Sequence, residues 1–285
     1  MTPSGRTAAA PATRRPGPGA ALRWEMVKLA AQMRSRALLA AALIIPPVVV
    51  AVLNGQQQPP SDTIYGRLIH VSGYAMPLLM LAFAAQWVLP LLAAVVAGDI
   101  FASEDQHGTW KTILTRSVSR THIFWAKTLT ALAFNLLLLA VFAASTIVAS
   151  LLIIGGQPLS GLSGQSIASA DALRLVVAAW ATAVPPMVGF TALALLLSAR
   201  TRNPALGIAA PVVIGFAMQL LGSVGGLDLT RKLLLTTPFE AWHGLFAEQP
   251  FTGPLRTGLA VSAAWTLVCL AGAYLSLRRR DITGG

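Results

Sequence analysis

AMPLLMLAFAAQWVLPLLAAVVA, from Ala75 to Ala97, contains no charged residue. As a helix it is about 35 Å long, enough to cross a hydrocarbon core of about 30 Å. Such a run cannot be hidden in a soluble core of ordinary size, and it is not alone. Moving outward from it, five further apolar segments occupy about 37–53, 128–154, 172–198, 205–221 and 255–277. Hydrophobic residues make up 55% of the 285-residue chain and charged residues 11%, well under the about 25% charged residues of soluble domains. The sequence therefore predicts an all-α integral membrane protein with six spans in a single domain over residues 22–285, after a tail at 1–21. Prolines at Pro46-Pro47, Pro185-Pro186 and Pro211 predict kinks or re-entrant ends. In lipid these persist where neighbours satisfy the freed carbonyls.

Charge distribution sets the expected orientation. With the N-terminus in the cytosol, sixteen of the 21 Lys and Arg residues flank the spans on the inside and five on the outside, as the positive-inside rule requires. Both termini are then cytosolic. The same bias explains most of the net charge of +11, so no nucleic-acid partner is expected. Cys269 is the single cysteine, which excludes a disulfide within the chain. Residues 1–21, rich in Ala, Pro, Gly and Arg, read as a disordered tail without a cleavable signal pattern.

Two flanking stretches are not simple spans. In residues 22–36, Leu22, Met26, Leu29 and Met33 recur at helical spacing, while Arg23, Lys28, Arg34 and Arg36 fall elsewhere. This predicts a helix lying in the cytosolic lipid interface. Between the second and third spans, Gly98–Lys127 is acidic first, breaks at Gly108-Thr109, and then becomes basic and amphipathic. Trp110, Ile113, Leu114 and Ser117 share a helical face, and Ser119 is placed to cap the helix that continues into the third span. A helix this short needs a partner surface.

Glu104, Gly108-Thr109, Ile113-Leu114, Ser119-Arg120 and Lys127 together resemble the first intracellular loop of type-2 ABC exporter permeases. Where that family has a proline before the Ser-Arg pair, this chain has Ser117-Val118. The six-span layout and the long last external loop agree with the resemblance. It implies that the short helix is a coupling helix, docking through Thr109, Trp110, Ile113, Leu114 and Arg116 on an ATPase subunit. Glu104, Gly108, Ser119, Arg120 and Lys127 would stabilise the loop. It also implies a second permease copy, identical or related, with ATP and Mg bound by the partner subunits and no cofactor on this chain.

The stretch between the fifth and sixth spans, residues 222–254, carries Leu233, Leu234, Leu235, Phe239, Trp242, Phe246 and Phe251. A solvated loop would not, and these side chains predict a helical element dipping into the outer interface. The resemblance makes Phe239, Trp242 and Phe246 candidates for an external gate.

Other chemistries find little support. No lysine follows a glycine, so a phosphate-binding Gly-Lys-Ser/Thr loop is absent and ATP hydrolysis must come from another chain. Gly161-Leu162-Ser163-Gly164 resembles the Gly-x-Ser-Gly of rhomboid proteases, but no histidine is placed in a span to serve as base. Asp99, Glu104, Asp105 and His107 lack the order of a metal-ligand set. No span carries an ionised group near its centre, against the habit of ion-coupled carriers. The expected function is the membrane subunit of an ATP-driven exporter in a bacterial plasma membrane, with an amphipathic or lipid-like substrate. An ion-coupled transporter, or a non-transporting assembly or immunity protein, is the alternative.

Overall fold

The computed structural model describes residues 18–58, 60, 63–110, 119–226 and 228–279. Six helical stretches are long and apolar enough to cross a membrane: Met33–Gly55, Ala75–Gln106, Arg120–Ile153, Ser169–Thr201, Pro204–Ser223 and Gly253–Arg278. Two of them are subdivided. Among the described residues the α-helices are α1 (Pro18–Ala31), α2 (Met33–Gly55), α3 (Ala75–Phe83), α4 (Leu89–Ala97), α5 (Ala102–Gln106), α6 (Arg120–Ile153), α7 (Ser169–Thr182), α8 (Val184–Thr201), α9 (Pro204–Ser223), α10 (Asp228–Leu233) and α11 (Gly253–Arg278). A two-stranded antiparallel ribbon pairs β1 (Leu159–Ser160) with β2 (Ser166–Ile167).

Helix α8 is the axis of the bundle, packed against α4, α6, α9 and α11. Its buried face alternates small residues (Gly189, Thr191, Ala192, Ala194) with Met187, Phe190 and Leu195. Small side chains let helix backbones approach closely where lipid supplies no hydrophobic drive to pack. Helices α2 and α9 are peripheral and leave most of their side chains outward: Leu43, Ile44, Ile45, Val48 and Val52 on α2, and Leu206, Val213, Phe216 and Leu220 on α9, are exposed.

The prolines act in three different ways. Helix α2 runs through Pro46 and Pro47 without a break. Pro47 has no N–H for the carbonyl of Leu43, and Ser145 Oγ on α6 donates to that carbonyl instead, at 2.6 Å. Pro185 and Pro186 do break the fourth apolar segment: they occupy the first turn of α8, where a missing N–H costs nothing, and α7 ends just before them. Pro211, inside α9, frees the carbonyl of Gly207. That oxygen lies against Gly98, where an added Cβ would come within 2.2 Å of it.

One more irregularity sits in the second span. Residues Ala84–Val88 form a π turn between α3 and α4. The extra residue rotates the remainder of the span about its axis, and Phe83, Trp87 and Leu91 are left exposed. The rings of Trp87 and of Phe216 on α9 lie 5.4 Å apart.

The expected N-terminal helix needs correction in detail. It starts at Pro18, inside the predicted tail, and stops at Gln32, whose backbone is extended (φ −71°, ψ 132°). Met33 therefore belongs to α2 and is 88% exposed, and Met26 is exposed as well. Leu29 is buried, and Leu22, Glu25 and Gln32 are half-buried. The inward face is thus rotated from the purely apolar one, because an acid, Glu25, is drawn into the bundle by a lysine of α6.

Candidate functional site

The site lies at the end of the bundle where α1, α5 and the start of α6 meet. Lys127, about two turns into α6, is 1% exposed. Its ammonium donates to Glu104 Oε1 at 2.8 Å and to Glu25 Oε2 at 3.0 Å. Glu104, 2% exposed, also accepts from Lys28 Nζ and, on Oε2, from the hydroxyl of Thr109. Two acids and two bases balance, and the two deeply buried members are paired. A buried ion left alone costs several kcal/mol, roughly 3–5 when one partner is removed. Close by, Arg34 at the start of α2 pairs with buried Asp99. Helices α1 and α2 are thus ionically fastened to the end of the second span.

Around these charges the local chain is held by caps and rings. Ser198 of α8 accepts from the N–H groups of Phe101 and Ala102, both at 3.1 Å, satisfying free donors at the start of α5. Phe101 and Phe124 stack with centroids 5.9 Å apart. Trp110 is buried in the same apolar cluster, with Ile100, Ile123, Leu195 and Leu277. Gly108 adopts φ +64°, the left-handed conformation that glycine takes without penalty. Thr109 N–H donates to the carbonyl of Glu104 at 3.1 Å, closing the turn.

Residues 111–118 lie outside the described residues, and with them Ile113, Leu114 and Arg116 of the predicted docking face. The chain is described again at Ser119, which caps α6 by accepting from His122 N–H at 3.3 Å. Arg120 donates to the carbonyl of Arg278 at 3.0 Å, and the hydroxyls of Thr121 and Tyr274 are 3.0 Å apart. Both ends of the segment are therefore anchored: the leading end on α1, α6 and α8, the trailing end on α11. Of the predicted residues, the fold brings Glu104, Thr109 and Lys127 into direct contact and places Arg120 apart, against the last helix. Trp110 faces the protein core.

Sequence reasoning missed Glu25, Lys28, Arg34, Asp99 and Ser198 as parts of this site. Glu25 carried a signal: it is the sole acid among residues 1–36, which hold seven basic residues. Ser198 carried none, because its partners are 96 and 97 positions away.

At the opposite end, Phe239, Trp242 and Phe246 belong to a 3-10 helix, Thr237–Phe246. They are 2%, 1% and 0% exposed, turned into the protein and not toward lipid. Tyr65 lies 5.7 Å from both Trp242 and Phe246, and Phe190 of α8 stacks with Phe239 at 6.0 Å. Burial pushes the Tyr65 phenol pKa up. Phe251 is exposed. The β1–β2 turn grips this element: Leu162 N–H and Gln165 Nε2 both donate to the carbonyl of Phe246, at 2.9 Å. Ser163 is part of that grip, its hydroxyl accepting from Glu248 N–H.

Compared with known families, residues 21–218 match the model of the ABC-2 family of transporter proteins. The match takes in most of α1, the Glu104–Lys127 cluster, the first four spans and most of the fifth. This chain belongs to the ABC-2 transporter family. No curated protein matches the sequence. Members of the ABC-2 family are membrane permeases that work with ATPase subunits, and this permease likewise lacks a Gly-Lys-Ser/Thr loop of its own.

Proposed function

We propose that this ABC-2 permease forms an export route with a second permease copy and is driven by separate ATPase subunits docked around Gly108–Arg120. ATP and Mg belong to those subunits. The observation that carries the reading is the Glu25–Lys28–Glu104–Lys127 cluster, built around the buried Glu104–Lys127 pair. It fastens one side of the candidate coupling segment to the N-terminal helix and the third span, so a push on the segment moves helices and not just a loop. Arg120, bonded to the end of α11, ties the other side to the sixth span. Closure of the ATPase pair would then tilt several spans together, a rigid-body switch of access.

The substrate route is proposed along the exposed faces of the second and fifth spans. Phe83, Trp87, Leu91, Phe216 and Leu220 offer apolar and aromatic surface there and no ionised group, which suits an amphipathic or lipid-like molecule. Phe239, Trp242 and Phe246 would close the outer end. In this reading both termini are cytosolic and the membrane is a bacterial plasma membrane.

Affinity co-purification of the tagged chain in mild detergent tests the docking surface. The native chain should bring down an ATPase subunit, and the double variant Ile113→Asp plus Leu114→Asp should lose it. Absence of any ATPase with the native chain in several detergents would overturn the reading.

A further inference from the structure

A second polar site lies at the end of the bundle opposite the Glu104 cluster. Asp228, Arg231 and Lys232 fall at i, i+3 and i+4 of α10, on one face of the helix. They line a cavity of about 520 Å³ together with Thr237, Glu240 and Thr257. Its apolar wall is made by Pro238, Ala241, Pro254 and Gly258. Arg231 and Glu240 are 3.8 Å apart and each about half exposed, a loose pair that leaves most guanidinium donors and carboxylate lone pairs unspent. The same two residues also border a smaller cavity of about 160 Å³ on their other side, with Gln219, Ser223 and Thr236. Helix α10 is fixed in place by its carbonyls: Arg231 accepts from Thr237 Oγ1 at 2.6 Å and Leu233 from Trp265 Nε1 at 3.0 Å.

The charge set selects the ligand. A simple anion entering the cavity would meet Asp228 and Glu240, and a simple cation would meet Arg231 and Lys232. A phosphate joined through a short linker to an ammonium satisfies both signs: Arg231 and Lys232 hold the phosphate oxygens, and the carboxylates hold the ammonium. The surroundings select its source. The other side of α10 exposes Leu229 and Leu233, and the adjoining end of α9 exposes Leu220, Leu221 and Val224. A polar cavity rimmed by outward leucines at the end of the spans is where a headgroup and the start of its acyl chains would lie.

We infer that this cavity binds the headgroup of a zwitterionic phospholipid, with phosphate on Arg231 and Lys232 and ammonium on Asp228 and Glu240. The inference rests on the six-span orientation, which puts this end at the outer membrane boundary. It does not depend on the ATPase partner.

Native mass spectrometry of the full chain, stripped of lipid in detergent, tests it. Phosphatidylethanolamine, phosphatidylglycerol, free phosphoethanolamine and inorganic phosphate are titrated separately. Phosphatidylethanolamine should bind at lower concentration than phosphatidylglycerol. The double variants Arg231→Ala plus Lys232→Ala, and Asp228→Asn plus Glu240→Gln, should each weaken it at least about tenfold, the size expected for losing even one of the two charge-assisted contacts each removes. Arg174→Ala, which removes an exposed basic residue that does not line the cavity, should leave it unchanged. All these side chains are exposed, and an unaltered helical circular dichroism spectrum separates lost lipid from lost fold. Equal affinity for phosphatidylglycerol, no effect of the double variants, or an equal effect of Arg174→Ala would overturn the inference. So would displacement of the lipid by equimolar phosphoethanolamine, which would assign the cavity to a soluble solute. Retained ATPase co-purification in the cavity variants would keep a failure here distinct from a failure of the exporter reading.

Discussion

The ammonium of Lys127 sits 2.8 Å from the carboxylate of Glu104, and neither residue is more than 2% exposed. A pair buried to this degree has no net worth fixed by its Coulomb attraction, because both ions gave up water to form it. Its consequence is geometric. It holds the end of the second span to the third span, and Glu25 and Lys28 add the N-terminal helix to the same arrangement, next to the segment proposed to receive force.

Removing one partner should therefore be costly. Lys127→Met or Glu104→Gln is expected to lower stability by about 1–3 kcal/mol, short of the full cost of an unpaired buried ion, because Lys28 still faces Glu104 and Glu25 still faces Lys127. Combining the two should cost less than the sum of the singles. Thermal unfolding of the three variants in detergent checks this, and strict additivity would show that the pair is not coupled.

Ser145 and Pro47 make a second testable unit. Ser145→Ala leaves the Leu43 carbonyl without a donor and should lower stability by about 1–2 kcal/mol. In a Pro47→Ala background the helix supplies its own N–H to that carbonyl, and the Ser145→Ala penalty should shrink. A penalty of the same size in both backgrounds would show that Ser145 stabilises the bundle in some other way.

The contact of Gly98 with Gly207 brings two backbones together where no Cβ fits: one added at Gly207 would lie 2.0 Å from the carbonyl oxygen of Gly98. Gly98→Ala or Gly207→Ala must push the second and fifth spans apart, at an expected cost of about 1–3 kcal/mol. Limited proteolysis should show faster cleavage in the Gly98–Gly108 segment of both variants. Gly19→Ala, with nothing within 4 Å of the new methyl, serves as the unaffected comparison.

Gly108 has open space around it and a left-handed φ of +64°. Gly108→Ala is expected to cost about 1 kcal/mol from backbone conformation alone, and Gly108→Asn less, because asparagine visits this region more readily. Equal losses for the two would point to contact with a partner surface and away from backbone strain, and comparing unfolding with ATPase binding for both variants decides it.

Apolar runs free of charge, such as Ala75–Ala97, are legible because their length and composition answer directly to the thickness of a bilayer. Caps are similarly local: Ser119 reaches a backbone N–H three residues on. The rotated face of α1 was not legible. Its apolar spacing pointed to Leu22, Met26, Leu29 and Met33, while the buried face depends on where Lys127, 102 residues from Glu25, comes to lie. The aromatics of the Thr237–Phe246 helix show the same limit. Their composition announced burial, but lipid and protein are equally apolar hosts, and the sequence could not choose between them.

By itself, the sequence determined the membrane class, the number of spans, the bias of basic residues to one side and the lack of a phosphate-binding loop. The spans and the missing loop rest on residue types within a window no longer than one helix, and the basic bias on a count over the flanks of the spans. The tertiary structure alone decided which charges pair, which serine supplies the hydrogen bond that Pro47 cannot give, which glycines touch, and that Asp228, Arg231, Lys232 and Glu240 share a cavity. Most of those contacts join positions far apart in the chain, and the packing of the bundle sets the distances between them.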